Sequence, residues 1–133
     1  MNEVHWIGAV DGLELGATLF HPTRAARGTV IVNGATGVPA SYYSSFAEHL
    51  AASGLRVVTY DYRGVGASRP DSLRGFSATM SDWAELDARS VLGHVRERFG
   101  DSPLFWLGHS FGGQALGLID DAREVTGAVL VGS

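Results

Sequence analysis

Apolar and polar positions change rhythm several times along this chain, and each change marks an element. From Val4 to Phe20 the stretch VHWIGAVDGLELGATLF reads as two strands joined at Asp11-Gly12, a dipeptide that accepts the positive backbone angles of a tight hairpin turn. His21-Pro22 ends the hairpin. Four short, nearly continuous apolar runs follow: GTVIVNGA, LRVVTYDY, PLFWLGHS and EVTGAVLVGS. Runs of this kind, rich in β-branched residues and without alternation, suit strands buried on both faces of a parallel sheet.

Helical spacing fills the gaps between the runs. In YYSSFAEHLAASG, the residues Tyr43, Phe46, Ala47, Leu50 and Ala51 share one face, and Gly54 stands where a left-handed C-terminal cap is wanted. In SDWAELDARSVLGHVRERFG a cap at Ser81 opens the longest helix, whose stripe of Ala84, Ala88, Val91, Leu92, Val95 and Phe99 ends at Gly100. Trp83 and Trp106 read as core, and a third helix begins at Ser110. This order predicts an α/β fold over residues 1–133 as a single domain: a mostly parallel sheet with helices on both faces and an N-terminal antiparallel hairpin. The long irregular stretch from Arg63 to Met80, rich in turn formers, reads as a surface loop near a functional edge.

Composition narrows the chemistry. Of 133 residues, 45% are apolar and 18% charged, an ordinary globular balance, and no segment reaches the roughly 20 apolar residues that would span a bilayer. Net charge is −4, and all ten basic residues are arginines spread without a cluster, so nucleic acid is not an expected partner. There is no cysteine, hence no disulfide or thiolate chemistry. The five histidines (His5, His21, His49, His94, His109) include no HxxxH pair, and neither a metal nor a cofactor is expected. GVGASR lacks the third glycine of a dinucleotide loop and GATGVPAS lacks the lysine of a phosphate loop. The first ten residues have neither a basic nor an apolar signal region, which makes a cytoplasmic location the expectation.

The chemistry-bearing motif is Gly108-His109-Ser110-Phe111-Gly112, a GxSxG between an apolar strand and a helical pattern. In that setting the serine sits on a sharp strained turn and its hydroxyl projects above the sheet, while the flanking glycines avoid collisions with the neighbouring strand and helix. The N–H of Phe111, at a helix start, would face negative charge developing on a substrate carbonyl oxygen. A second such donor is expected from the loop after the third strand, NGATGVPASYY, with the N–H of Ala35 as candidate. The competing reading is a chance match in a chain with 18 glycines, in which Ser110 only caps a helix.

The stretches DGLELGATLFHP, VNGATGVPASYYSSFAEHLAASGLRVVTYDYRGVGASRP and LGHSFGGQALGL resemble the N-terminal half of the α/β-hydrolase fold, and more narrowly bacterial hydrolases related to the serine aminopeptidase and monoglyceride lipase group. The resemblance implies Ser110 as nucleophile, Ala35 and Phe111 as oxyanion-hole donors, and a sheet order 1-2-4-3-5-6. It implies a small-molecule acyl substrate cleaved as an ester, thioester or amide. Where the family's loop usually begins His-Gly this chain has Asn33-Gly34, a change expected to remove a side chain that buttresses the loop.

The family's order is serine, then acid, then histidine. After Ser110 this sequence offers Asp120, Asp121 and Glu124 but no histidine, so the resemblance implies a hydrolase fold lacking its C-terminal strands, with the triad incomplete. His109 neighbours the serine on a diverging side chain, and His94 borders the apolar stripe of the long helix; packing is the expected role of each. Asp61 and Arg63, at the end of the fourth strand, are expected to fix the loop by an ion pair or hydrogen bonds, and Tyr42 and Tyr43 either line a pocket or pack a helix. Two functional classes remain: a serine hydrolase, or a non-catalytic fragment or interaction module with the hydrolase fold. In either, GAVLVGS would be a bare apolar edge strand, and self-association is expected.

Overall fold

A computed structural model describes residues 2–133. The chain forms β1 (Asn2–Gly8), β2 (Glu14–Phe20), β3 (Thr29–Asn33), α1 (Ser44–Ala52), β4 (Arg56–Tyr60), α2 (Met80–Asp82), a π-helical segment (Trp83–Ala88), α3 (Arg89–Phe99), β5 (Leu104–His109), α4 (Phe111–Leu116) and β6 (Gly127–Val131). The strands make one sheet in the order β1-β2-β4-β3-β5-β6. β1 and β2 are the expected antiparallel hairpin, with Gly12 at φ +92° in its turn, and β2 also lies antiparallel to β4. The β4-β3, β3-β5 and β5-β6 pairs are parallel.

Burial explains the rhythm of the sequence. Every residue of β3 is buried, as a central strand covered on both sides requires. One face packs Ile31, Val58, Leu104 and Trp106 against the stripe Ala84, Ala88, Val91, Leu92 and Val95 and against Phe111 and Ala115 of α4. The other packs Val30, Val32 and Val57 against Tyr43 and Ala47. Trp106 is fully buried, and its indole Nε1 donates to the carbonyl of Gly112 at 2.9 Å, tying α4 to the strand before it. Residues 34–37 and Ser110 emerge at the same edge, because Asn33 of β3 is the register partner of Gly108 of β5.

Three local features depart from the pattern. The long helix is capped by Thr79, not Ser81: the Thr79 hydroxyl accepts from the Asp82 N–H, and the Asp82 carboxylate accepts from the Thr79 N–H. The capping box spans T-x-x-D, and the acidic residue at its third position decides in favour of Thr79. Trp83–Ala88 widens to π geometry, which seats the fully buried Asp87 against Arg63. Phe46, placed on the buried stripe by its spacing, is 42% exposed, since α1 turns that side of the helix toward an open part of the sheet.

That open part is β6. Val129, Leu130 and Val131 are each about half exposed, at 57%, 54% and 49%. Among the described residues, no helix is long and apolar enough to cross a membrane.

Candidate active site

Ser110 closes β5 and precedes α4 with φ +54° and ψ −115°, the one non-glycine residue with positive φ among the described residues. Such a conformation costs an L-residue about 1–3 kcal/mol and persists only where the surroundings impose it. Here they do. The Ser110 N–H donates to the carbonyl of Val131 at 2.9 Å, and its carbonyl accepts from the Gly113 N–H at 3.1 Å. A side chain at Gly108 would run into the backbone of Gly112 and Gly113, and one at Gly112 into the carbonyl of Asn33. Both glycines of GxSxG are therefore required by close approach of backbone.

The Phe111 N–H opens α4 and has no acceptor among the described residues. Its side chain is buried edge-on against Tyr62 and Trp83, which fixes the start of the helix. Ala35 stands two residues past Asn33, as Ser110 stands two past Gly108, so the register brings both to one edge. The Ala35 N–H, however, donates to the hydroxyl of Tyr43 at 2.9 Å.

Asn33, where the family's loop usually begins with histidine, ties β3 to β4 and β5 and makes no side-chain hydrogen bond to the loop that follows it. The residue is fully buried; its Oδ1 accepts from the Tyr60 hydroxyl at 2.5 Å, and its Nδ2 donates to the carbonyls of Ile31 at 3.2 Å and Leu107 at 3.4 Å. The Tyr62 hydroxyl donates to the Gly34 carbonyl at 3.0 Å. Burial pushes both phenols far above their ordinary range, so they remain donors. Asp61 adds a third anchor by accepting from the Ala40 N–H at 2.7 Å and the Ala67 N–H at 2.9 Å, which joins the loops after β3 and β4.

The other titratable groups lie away from the serine or are already engaged. His109 Nδ1 is 2.9 Å from the Tyr43 hydroxyl. His94 and His5 face each other through their Nε2 atoms at 3.0 Å, and burial lowers the pKa of His94. His21 pairs with Glu3. Asp121 and Glu124 pair with Arg89 and Arg96 of α3, and the segment Asp120–Glu124 precedes β6, toward the edge of the parallel strands opposite Ser110. Among the described residues no histidine hydrogen-bonds the Ser110 hydroxyl, and no three His, Cys, Asp or Glu side chains are grouped to hold a metal ion. Arg63, itself buried, pairs with the buried Asp87 and with the exposed Asp11.

Two depressions are worth separating. The larger, about 480 Å³, is bordered by Arg24, Arg27 and the last turn of α1, at the edge where the parallel strands begin, far from the serine in the topology. A smaller one, about 280 Å³, is lined by Tyr42, Tyr43, Phe46, Leu107, His109 and Val131 and adjoins the Ser110 turn.

Comparison with known proteins agrees with this layout. Residues 24–133 match the family model described as serine aminopeptidase, S33. A thermostable carboxyl esterase from Bacillus coagulans superposes with a TM-score of 0.82 at 23% identity, covering 97% of this chain and 43% of the esterase. A lidless α/β serine hydrolase from Xanthomonas campestris gives 0.76 at 22%, covering 97% and 60%. A soluble variant of monoglyceride lipase from Saccharomyces cerevisiae gives 0.74 at 22%, covering 98% and 43%. The chain thus spans about half the length of these structures. No curated protein sequence gives a significant match.

Proposed function

Because the chain belongs to the serine aminopeptidase S33 family of α/β hydrolases, we propose that it carries the nucleophile of a serine hydrolase that cleaves an ester, thioester or amide by acyl transfer. Ser110 Oγ attacks the substrate carbonyl carbon and passes its proton to a base. The carbonyl oxygen, now negative, is met by the N–H groups of Phe111 and Ala35, an oxyanion hole. Collapse of the tetrahedral species expels the alcohol, thiol or amine and leaves an acyl-serine for water to hydrolyse. The observation that carries this reading is the forced conformation of Ser110 just after β5, beside a Phe111 N–H with no acceptor among the described residues. Strain of this kind concentrates at nucleophilic serines on strand-to-helix turns.

Among the described residues no histidine hydrogen-bonds the Ser110 hydroxyl. His109 is committed to Tyr43, and His5 and His94 to each other. As a 133-residue polypeptide the chain is therefore expected to turn over a p-nitrophenyl ester little or not at all, while a fluorophosphonate probe labels Ser110 slowly. Mass mapping should place the adduct on Ser110, and Ser110→Ala should abolish it. Labelling that survives the substitution refutes the assignment; robust turnover lost with it refutes the expectation of little turnover.

The alternative, a non-catalytic fragment or interaction module, is favoured by the exposed strand β6. We propose that Val129, Leu130 and Val131 drive self-association through this unpaired apolar edge. Sedimentation should give a concentration-dependent average mass above the 14.1 kDa monomer. A monomer at all concentrations contradicts it.

A further inference from the structure

The amide assigned to the oxyanion hole already has an occupant. The Ala35 N–H donates to the Tyr43 hydroxyl at 2.9 Å, and the same hydroxyl lies 2.9 Å from His109 Nδ1. A phenol has one proton to give. Burial raises the pKa of Tyr43, so the hydroxyl keeps its proton, and its oxygen accepts from the Ala35 N–H while the His109 ring holds the same hydroxyl from another side. The ring has little freedom: it is 8% exposed, edge-on to both Tyr42 and His109, and a methyl group added at Gly34 would lie only 3.0 Å from it.

The hydroxyl is not needed to hold the loop in place. Gly34 is fixed by Tyr62, Asn33 by Tyr60, and Ala40 by Asp61. What Tyr43 alone does is fill the Ala35 N–H. We propose that Tyr43 is a positioning residue that keeps this amide occupied by its hydroxyl, so that a substrate oxygen gains the second oxyanion donor only by displacing a phenol. A neutral carbonyl is too weak an acceptor to win that exchange, whereas an oxygen bearing negative charge is strong enough. The contact withholds one hydrogen bond from bound substrate and grants it as charge develops, which is the differential binding that catalysis needs. This inference rests on the reading of Ser110 as nucleophile.

The test is Tyr43→Phe, which keeps the ring and removes the oxygen. With an uncharged fluorophosphonate, from which Ser110 Oγ displaces fluoride at phosphorus, saturation labelling of Ser110 should show a second-order rate constant about fivefold higher than wild type, the gain lying in tighter reversible binding rather than in the maximal rate; one neutral hydrogen bond has about that worth. Hydrogen exchange at the Ala35 N–H should be protected in wild type and at least about tenfold faster in the variant. A purely structural tyrosine would instead slow labelling when truncated. Labelling equal to or slower than wild type, or an Ala35 amide unprotected in wild type, overturns the proposal alone. A wild-type chain that takes no label at Ser110 overturns the nucleophile reading and this inference with it.

Discussion

Gly112→Ala is expected to destabilise the chain by about 3 kcal/mol or more, with an insoluble product as the extreme outcome. A methyl group there would overlap the carbonyl of Asn33, which is backbone and cannot swing aside as a side chain could. Overpacking costs about 1–3 kcal/mol where side chains can yield. Here β3 itself would have to move, and Asn33 is at once the sheet partner of Gly108, the acceptor for Tyr60 and a donor to Leu107. The same substitution at Gly93 is the control. Gly93 lies inside α3 with open space where its Cβ would be, so alanine there should stabilise by about 0.5–1 kcal/mol through helix propensity. Urea unfolding of the two variants should therefore move in opposite directions. A Gly112→Ala chain as stable as wild type would mean that α4 does not approach β3 as described, and the conformation of Ser110 would lose its cause.

The second large effect belongs to Asp87. Its carboxylate is fully buried and receives the Arg63 backbone N–H at 2.8 Å and the Arg63 Nε at 2.9 Å. Arg63 also grips Asp11 in the hairpin turn through both terminal nitrogens, at 2.7 and 3.1 Å. Burial pushes the Asp87 carboxyl above its ordinary pKa while Arg63 pulls it down. The Arg63 hydrogen bond holds the exposed Asp11 below its usual range. Asp87→Ala removes the deeper partner and leaves a buried guanidinium with only the outer one. Breaking a buried pair in this way costs about 3–5 kcal/mol, equivalent to a melting-temperature loss of about 10–20 °C for a domain of this size. Differential scanning calorimetry is the check; a loss under about 2 °C would show that solvent or Asp11 fully replaces Asp87.

What the sequence could and could not disclose follows from distance along the chain. The strands were legible because β3, β4, β5 and β6 are continuous apolar runs separated by helical periods, while their order in the sheet was implied only by the resemblance to the α/β-hydrolase fold. Ser110 was legible because GxSxG is a local pattern, although only Gly108 answers crowding from its own neighbours, while Gly112 answers the distant Asn33. The wiring around it was not. Asn33 meets Tyr60 across 27 residues, and Tyr43 meets His109 across 66, and nothing in periodicity or spacing announces either contact. The same holds for the π-helical turn that seats Asp87, since WAELDA reads equally well as plain α-helix. Thr79, by contrast, could have been found: the acidic residue three positions later is a sequence-level signature.

The hydroxyl of Ser110, on its strained turn, should meet the Phe111 N–H at the sheet edge. The most direct test of this contact is a crystal structure of the chain after reaction with a fluorophosphonate. That structure should show a phosphonyl group on Ser110 Oγ, φ of Ser110 still positive, and the phosphonyl oxygen within about 3 Å of the Phe111 nitrogen. An adduct whose oxygen turns to solvent with the Phe111 N–H bonded elsewhere, or a Ser110 relaxed to negative φ, would contradict it.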